Sequence, residues 1–85
     1  MDRAEVLAEV RAVAVEILDV APEAVSPGAR FREDLDASSL DMIELVMALE
    51  DRLGRRFPQD ELASITTVGQ AVDLILELNS MFDER

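Results

Sequence analysis

Apolar residues recur at the spacing of an α-helix in three segments of the chain, and this periodicity constrains the fold more than any other feature. The first segment predicts a helix from about Asp2 to Val20. It ends there because Pro22 disfavours the helical conformation in the residue before it. The side chains expected to face the core from this helix are Val6, Val10, Val13 and Ile17, flanked by Leu7, Ala14 and Leu18.

The second helix is marked by residues that start and stop helices. Ser38 and Asp41 form a capping pattern, in which the serine hydroxyl accepts a hydrogen bond from a backbone N–H in the first turn. The pattern predicts a helix from about Ser39 to Leu53, and Gly54 is well suited to ending it.

The remaining segments complete an all-α prediction. Residues 22–35 form a long loop, in which Phe31 and Leu35 are expected to reach the core, and one short helical turn is expected within 58–63. Thr67 and Gln70 form a capping box that opens the last helix. Its expected inward-facing residues are Val68, Ala71, Val72, Ile75 and Phe82. The sequence thus predicts a single domain, residues 1–85: a small bundle of three main helices plus one short helix, with a long loop between the first and second helices.

The second helix carries two apolar sectors. On a wheel at about 100° per residue the core sector is expected to hold Met42, Leu45, Val46, Leu49 and Leu53. A second sector, roughly 100–160° away, holds Leu40, Ile43 and Met47. Ser39 lies at the helix start, on the edge of that second sector, with no base near it in the sequence. A hydroxyl in this position suits a residue that another protein modifies better than one that performs chemistry itself.

Composition excludes several classes of function. The chain has 19 acidic and 8 basic residues, and the net charge of −11 repels nucleic acid and anionic membranes and attracts basic protein surfaces. There is no cysteine and no histidine, so a thiolate nucleophile and a Ser-His-Asp triad are both excluded. No segment has the length of a membrane span or an apolar signal region. We expect a cytoplasmic monomer without catalytic residues and without nucleic-acid partners.

Seven acids and no base lie between Glu33 and Asp51. Together with the second apolar sector they indicate a docking face for a basic partner that has apolar pockets. A solvated acidic face and an apolar stripe packed under a loop would give the same pattern, and Ser38 and Ser39 are by themselves ordinary capping residues. The carboxylates do not form an EF-hand pattern, so we predict no metal centre and at most a weak surface site for calcium or magnesium.

The residues around Ser39 resemble those of the acyl carrier protein family. That family's attachment motif is Asp-Ser-Leu after Gly-Ala or a similar pair, and it stands here as Asp-Ala-Ser-Ser-Leu at 36–40. Residues 41–50 resemble the family's second helix, 65–72 the start of its last helix and 31–35 the end of its first loop. The resemblance extends from the first helix to about Leu78. Two residues depart from it: Ser38 replaces the usual aspartate, and Asp36 replaces the usual glycine, which is compatible with a left-handed backbone at Asp36.

The resemblance implies a carrier whose cofactor is 4′-phosphopantetheine, transferred from coenzyme A to the Ser39 hydroxyl by a phosphopantetheinyl transferase. Acyl groups then travel as thioesters on the arm to acyl-loading and acyl-transferring enzymes with basic docking surfaces, in fatty acid, polyketide or lipopeptide biosynthesis. The residues that match partner-contacting positions are Leu40, Ile43, Glu44, Met47, Glu50 and Asp51, to which the neighbouring acids Asp36 and Asp41 are added. Those that match positions near a bound acyl chain are Phe31, Val46, Leu49 and Ile65.

Two other functions remain open from the sequence. One is a carrier of amino acids or aryl groups in peptide synthesis, although such domains usually have Gly-Gly and often histidine before the serine. The other is a helical interaction module that is never modified, against which the intact Ser39-Leu40-Asp41 run argues.

Overall fold

Four α-helices make up most of the chain in the computed structural model, which describes the backbone of residues 2–83 and the side chains of residues 2–79. They are α1 (Arg3–Leu18), α2 (Ser39–Leu53), α3 (Gln59–Leu62) and α4 (Val68–Asp83). Residues 2–83 contain no β-strand, only an isolated bridge between Arg30 and Thr67. The predicted all-α bundle of three main helices and one short helix is confirmed. None of the described helices is long and apolar enough to cross a membrane.

Helix α1 packs against both α2 and α4. It begins at a capping box, in which the Asp2 carboxylate accepts from the Glu5 N–H at 2.8 Å and the Asp2 N–H donates to Glu5 at 2.9 Å. It ends two residues before the predicted Val20, because Asp19 adopts a left-handed conformation with φ 58°. Its buried residues are Val6, Val10, Val13 and Ala14, whereas Leu7, Ile17 and Leu18 are only half-buried.

The loop between α1 and α2 has structure of its own. It contains a 3₁₀ turn at Pro22–Ala24, and Phe31 and Leu35 are buried as predicted. The loop lies on the start of α4, where the Gly69 N–H donates to the Pro27 carbonyl at 2.8 Å. A Cβ at position 69 would lie 2.9 Å from that oxygen, so this close approach requires glycine. This part of the loop is therefore packed closely against the start of α4.

The capping box predicted at the start of α4 is also present. The Gln70 N–H donates to Thr67 Oγ1 at 3.1 Å, and the Thr67 N–H donates to Gln70 Oε1 at 3.0 Å. Four of the five predicted inward-facing residues are buried, and the fifth, Phe82, lies outside the described side chains.

Candidate functional site

Helix α2 begins at the two adjacent serines, and the structure gives them different surroundings. Ser38 is the N-cap residue: its Oγ accepts from the Asp41 N–H at 3.0 Å, and its own N–H donates to the Asp41 carboxylate at 3.0 Å. The predicted cap is confirmed, and the Ser38 hydroxyl is engaged in holding the helix end. Ser39 is the first residue of the helix and is exposed, so its hydroxyl is accessible to another protein.

An arginine lies beside the Ser39 hydroxyl. Arg32 Nη2 donates to Ser39 Oγ at 2.8 Å. The guanidinium is a protonated donor and not a base, so it cannot accept the hydroxyl proton. The loop folds back between these residues: Asp36 is left-handed with φ 57°, and the Ala37 N–H donates to the Phe31 carbonyl at 2.9 Å. This reversal brings two residues seven positions apart into contact.

The second apolar sector of α2 faces away from the core. The large hydrophobic side chains that are exposed among the described residues are Leu40 (63% exposed), Ile43 (56%) and Met47 (62%). Glu44, Asp51 and Asp36 are exposed as well. The two other acids assigned to this face, Asp41 and Glu50, are half-buried and have structural hydrogen bonds. Asp41 belongs to the capping box, and the Glu50 carboxylate accepts the Phe57 N–H at 2.8 Å.

A groove of about 700 Å³ runs between α2 and the α3 region. Ile43, Met47 and Glu50 line it, together with half-buried Met42 and Val46. The other residues assigned to the docking face (Asp36, Leu40, Asp41, Glu44 and Asp51) lie outside its lining. The sequence interpretation missed the opposite wall, which consists of Arg56, Phe57, Gln59, Leu62 and Ala63. No periodic signal marks these residues, because α3 spans only four residues.

One cavity inside the bundle is lined by all four residues that were predicted to lie near an acyl chain: Phe31, Val46, Leu49 and Ile65. Its open space is about 40 Å³, room for a few water molecules at most. The lining is almost entirely apolar, and its other members are Val10, Met42, Leu45, Phe57, Leu62, Ala71, Leu74 and Ile75. An acyl chain of several carbons would enter only if these side chains moved apart.

Acidic charge near the site is partly compensated by Arg30. Its backbone N–H donates to the Asp34 carboxylate at 2.8 Å and its guanidinium lies 3.3 Å away, and these hydrogen bonds hold the pKa of Asp34 below its usual value. The hydrogen bond and charge of Asp34, together with the charge of Glu33 at 3.6 Å, raise the pKa of the Arg30 guanidinium. Within residues 2–79 no three acidic side chains converge as they would around a metal ion.

Comparison with known proteins agrees with this geometry. A family model described as "Phosphopantetheine attachment site" matches residues 8–75. A protein named acyl carrier protein from Rubrobacter xylanophilus is 46% identical over 91% of this chain and 95% of its own length. The chain belongs to the acyl carrier protein family. Relatives of the same name from Thermosynechococcus vestitus and Campylobacter hominis are 44% and 47% identical, each over 88% of this chain, and over 93% and 95% of their own lengths.

The cofactor of an acyl carrier protein is 4′-phosphopantetheine, attached covalently. The start of α2 fits such a group. An exposed hydroxyl is present, the first-turn N–H groups of α2 lack partners within the helix, and a guanidinium contacts the hydroxyl oxygen. Helix N-termini and arginine are both favourable for phosphate.

Proposed function

We propose that this chain is a non-catalytic acyl carrier, one domain over residues 1–85, with its 4′-phosphopantetheine arm on Ser39. The observation that carries the proposal is the different surroundings of the two serine hydroxyls. The Ser38 hydroxyl is held in the capping box, whereas the Ser39 hydroxyl is exposed on the first residue of α2. The thiol at the end of the arm supplies the reactive sulfur that a chain without cysteine lacks.

The modification needs only an accessible oxygen from this chain. Ser39 Oγ forms a bond to a phosphorus of coenzyme A, the bond from that phosphorus to the adenosine bisphosphate half breaks, and the hydroxyl proton leaves to a base on the transferase. Arg32 donates to this oxygen, so the serine's own proton is free to point outward. The chain has no histidine, and the base is proposed to lie on the transferase.

The exposed face of α2 supports the second part of the proposal, docking on enzymes with basic surfaces. Leu40, Ile43 and Met47 offer apolar contact, and Glu44 and Asp51 lie exposed on the same helix. The net charge of −11 steers a basic enzyme toward the chain from a distance and repels nucleic acid. The partners are a phosphopantetheinyl transferase and the enzymes that load and use the acyl group in fatty acid, polyketide or lipopeptide synthesis.

The cavity at Phe31, Val46, Leu49 and Ile65 is proposed to receive the acyl chain. Its apolar lining favours an aliphatic group over an amino acid, whose ammonium would be costly to bury. This supports an acyl rather than an aminoacyl cargo.

Modification by a broad-specificity phosphopantetheinyl transferase with coenzyme A tests the proposal. Intact-mass measurement is expected to show a gain of one phosphopantetheine on the wild type and on Ser38→Ala, and none on Ser39→Ala. The Ser38→Ala variant is the matched control, because it removes the neighbouring hydroxyl and is expected to lower the free energy of unfolding by about 0.5–2 kcal/mol through the lost cap. A wild type that gains no mass would overturn the proposal.

A further inference from the structure

Arg32 differs from the three arginines that have carboxylate partners among the described residues. Arg3 pairs with Asp73, Arg30 with Glu33 and Asp34, and Arg52 with Glu9 at 2.6 Å. Among the described residues Arg32 has no carboxylate partner, and its hydrogen bond goes to Ser39 Oγ at 2.8 Å. Arg11 also has no carboxylate partner there and donates to the Val25 carbonyl at 3.0 Å, so Arg32 is distinguished by the exposed serine hydroxyl that it contacts.

The local charge makes this placement significant. A phosphodiester on Ser39 adds a negative charge to a surface that already holds Asp36 and Asp41. Ser38, the residue before the attachment serine, is uncharged. Arg32 is thus the cation that contacts the site, and its remaining guanidinium N–H groups make no other hydrogen bond within the described chain.

We propose that Arg32 binds the phosphodiester of the arm and thereby orients the arm on the protein surface. The inference rests on the proposed attachment at Ser39. Esterification puts the phosphorus one bond from the oxygen that Arg32 already contacts, so the phosphoryl oxygens fall within reach of the same guanidinium. The planar fork of arginine matches two phosphate oxygens, and these charge-assisted hydrogen bonds are stronger than the bond to a neutral hydroxyl.

The position of Arg32 also selects a direction for the arm. Arg32 lines a cleft of about 260 Å³ between the end of the first loop and the α3 region. Four residues of this cleft, Phe31, Met42, Leu62 and Ile65, also line the core cavity. A phosphate held by Arg32 therefore places the start of the arm at the cleft that borders the cavity.

Phosphorus-31 NMR of the modified protein tests the contact. Wild type, Arg32→Gln and Arg56→Gln are each driven to complete modification with coenzyme A and a transferase, as verified by intact mass. Arg56→Gln is the matched control, since Arg56 is exposed and lies on the other groove. The wild type and Arg56→Gln are expected to share a broadened phosphorus line displaced from that of the same phosphodiester on the urea-unfolded modified protein. Arg32→Gln is expected to give a narrower line at the position of that unfolded reference.

Two further measurements sharpen the result. The change in amide NMR shifts on modification is expected to reach Ala63 and Thr66, which line the cleft, and to be lost there in Arg32→Gln. Should Arg32→Gln fail to fold, high salt applied to the wild type replaces it. Screening weakens an exposed charged contact and is expected to move the phosphorus line toward that of the urea-unfolded modified protein. Equal phosphorus lines in wild type and Arg32→Gln, or a wild-type line unmoved by salt, would overturn the role of Arg32 while leaving attachment at Ser39 intact. A wild type without any mass gain would instead remove the proposed function, and this inference with it.

Discussion

Truncation of Leu49 to alanine is expected to destabilise the bundle strongly. Leu49 is 5% exposed and borders the cavity of about 40 Å³. Leucine to alanine removes three carbon groups, worth about 2.4 kcal/mol of transfer free energy at roughly 0.8 kcal/mol each. The space created joins an existing cavity, which adds about 1 kcal/mol for every 40 Å³ or so that stays empty. We therefore expect a loss of about 3.5 kcal/mol in the free energy of unfolding.

Met47→Ala is the matched control for this prediction. Met47 lies two residues away on the same helix and is 62% exposed, and methionine and leucine have nearly the same helix propensity. Its truncation is expected to change the free energy of unfolding by no more than about 0.5 kcal/mol. Urea unfolding followed by far-ultraviolet circular dichroism measures both values. Equal losses in the two variants would refute the assignment of one face of α2 to the core and the other to solvent.

Three further predictions concern charge. Glu44→Lys is expected to slow modification by the transferase in low salt, whereas Glu77→Lys on α4 is not, because only Glu44 lies on the proposed docking face; equal initial rates would contradict this. The pKa of Asp34 is lower in the folded state than its ordinary value of 3.8, so its ionised carboxylate stabilises the fold above pH 3.8. This contribution is lost as the pH falls through the lower pKa of the folded state. The melting temperatures of wild type and Asp34→Asn should therefore differ at neutral pH and converge in strong acid. Added salt should raise the melting temperature by screening the net charge of −11, and a flat profile would count against it.

The helix bounds show which signals the sequence contains. Helix α2 was predicted from Ser39 to Leu53 and has these bounds, because Ser38 caps its start and Gly54, with φ 66°, ends it. Both signals are local. Helix α1 was expected to reach Val20 but ends at Leu18, since Asp19 turns left-handed. An aspartate gives no reliable sign of that conformation, and Pro22 restricts only the residue before it.

The sequence predicted which side chains of α2 point toward the core but not how deeply each one is buried. Met42, Val46 and Leu53 lie on the expected side of α2 together with Leu45 and Leu49, yet only the last two are buried. A helical wheel tells which way a side chain points but not how much of it a neighbour covers. Met42 and Val46 face α3, whose four residues are too few to close the groove over them.

Contacts between residues seven positions apart account for what the sequence could not predict at the site. The contact between Arg32 and Ser39 depends on the reversal of the chain at Asp36, and the Phe57 N–H reaches Glu50 across the end of α2. Neither contact has a periodic or capping signature. The exposed positions of Leu40, Ile43 and Met47, by contrast, followed from spacing alone.

The central claim is that Ser39, and not Ser38, carries the arm, and tandem mass spectrometry of the modified wild type tests it most directly. Trypsin cleaves after Arg32 and Arg52, so both serines lie in the peptide 33–52. Backbone fragments that separate residues 33–38 from residues 39–52 locate the added mass. We expect fragments ending at Ser38 to be unmodified and fragments beginning at Ser39 to retain the phosphopantetheine or its phosphate. Fragments ending at Ser38 that carry the added mass would contradict the account.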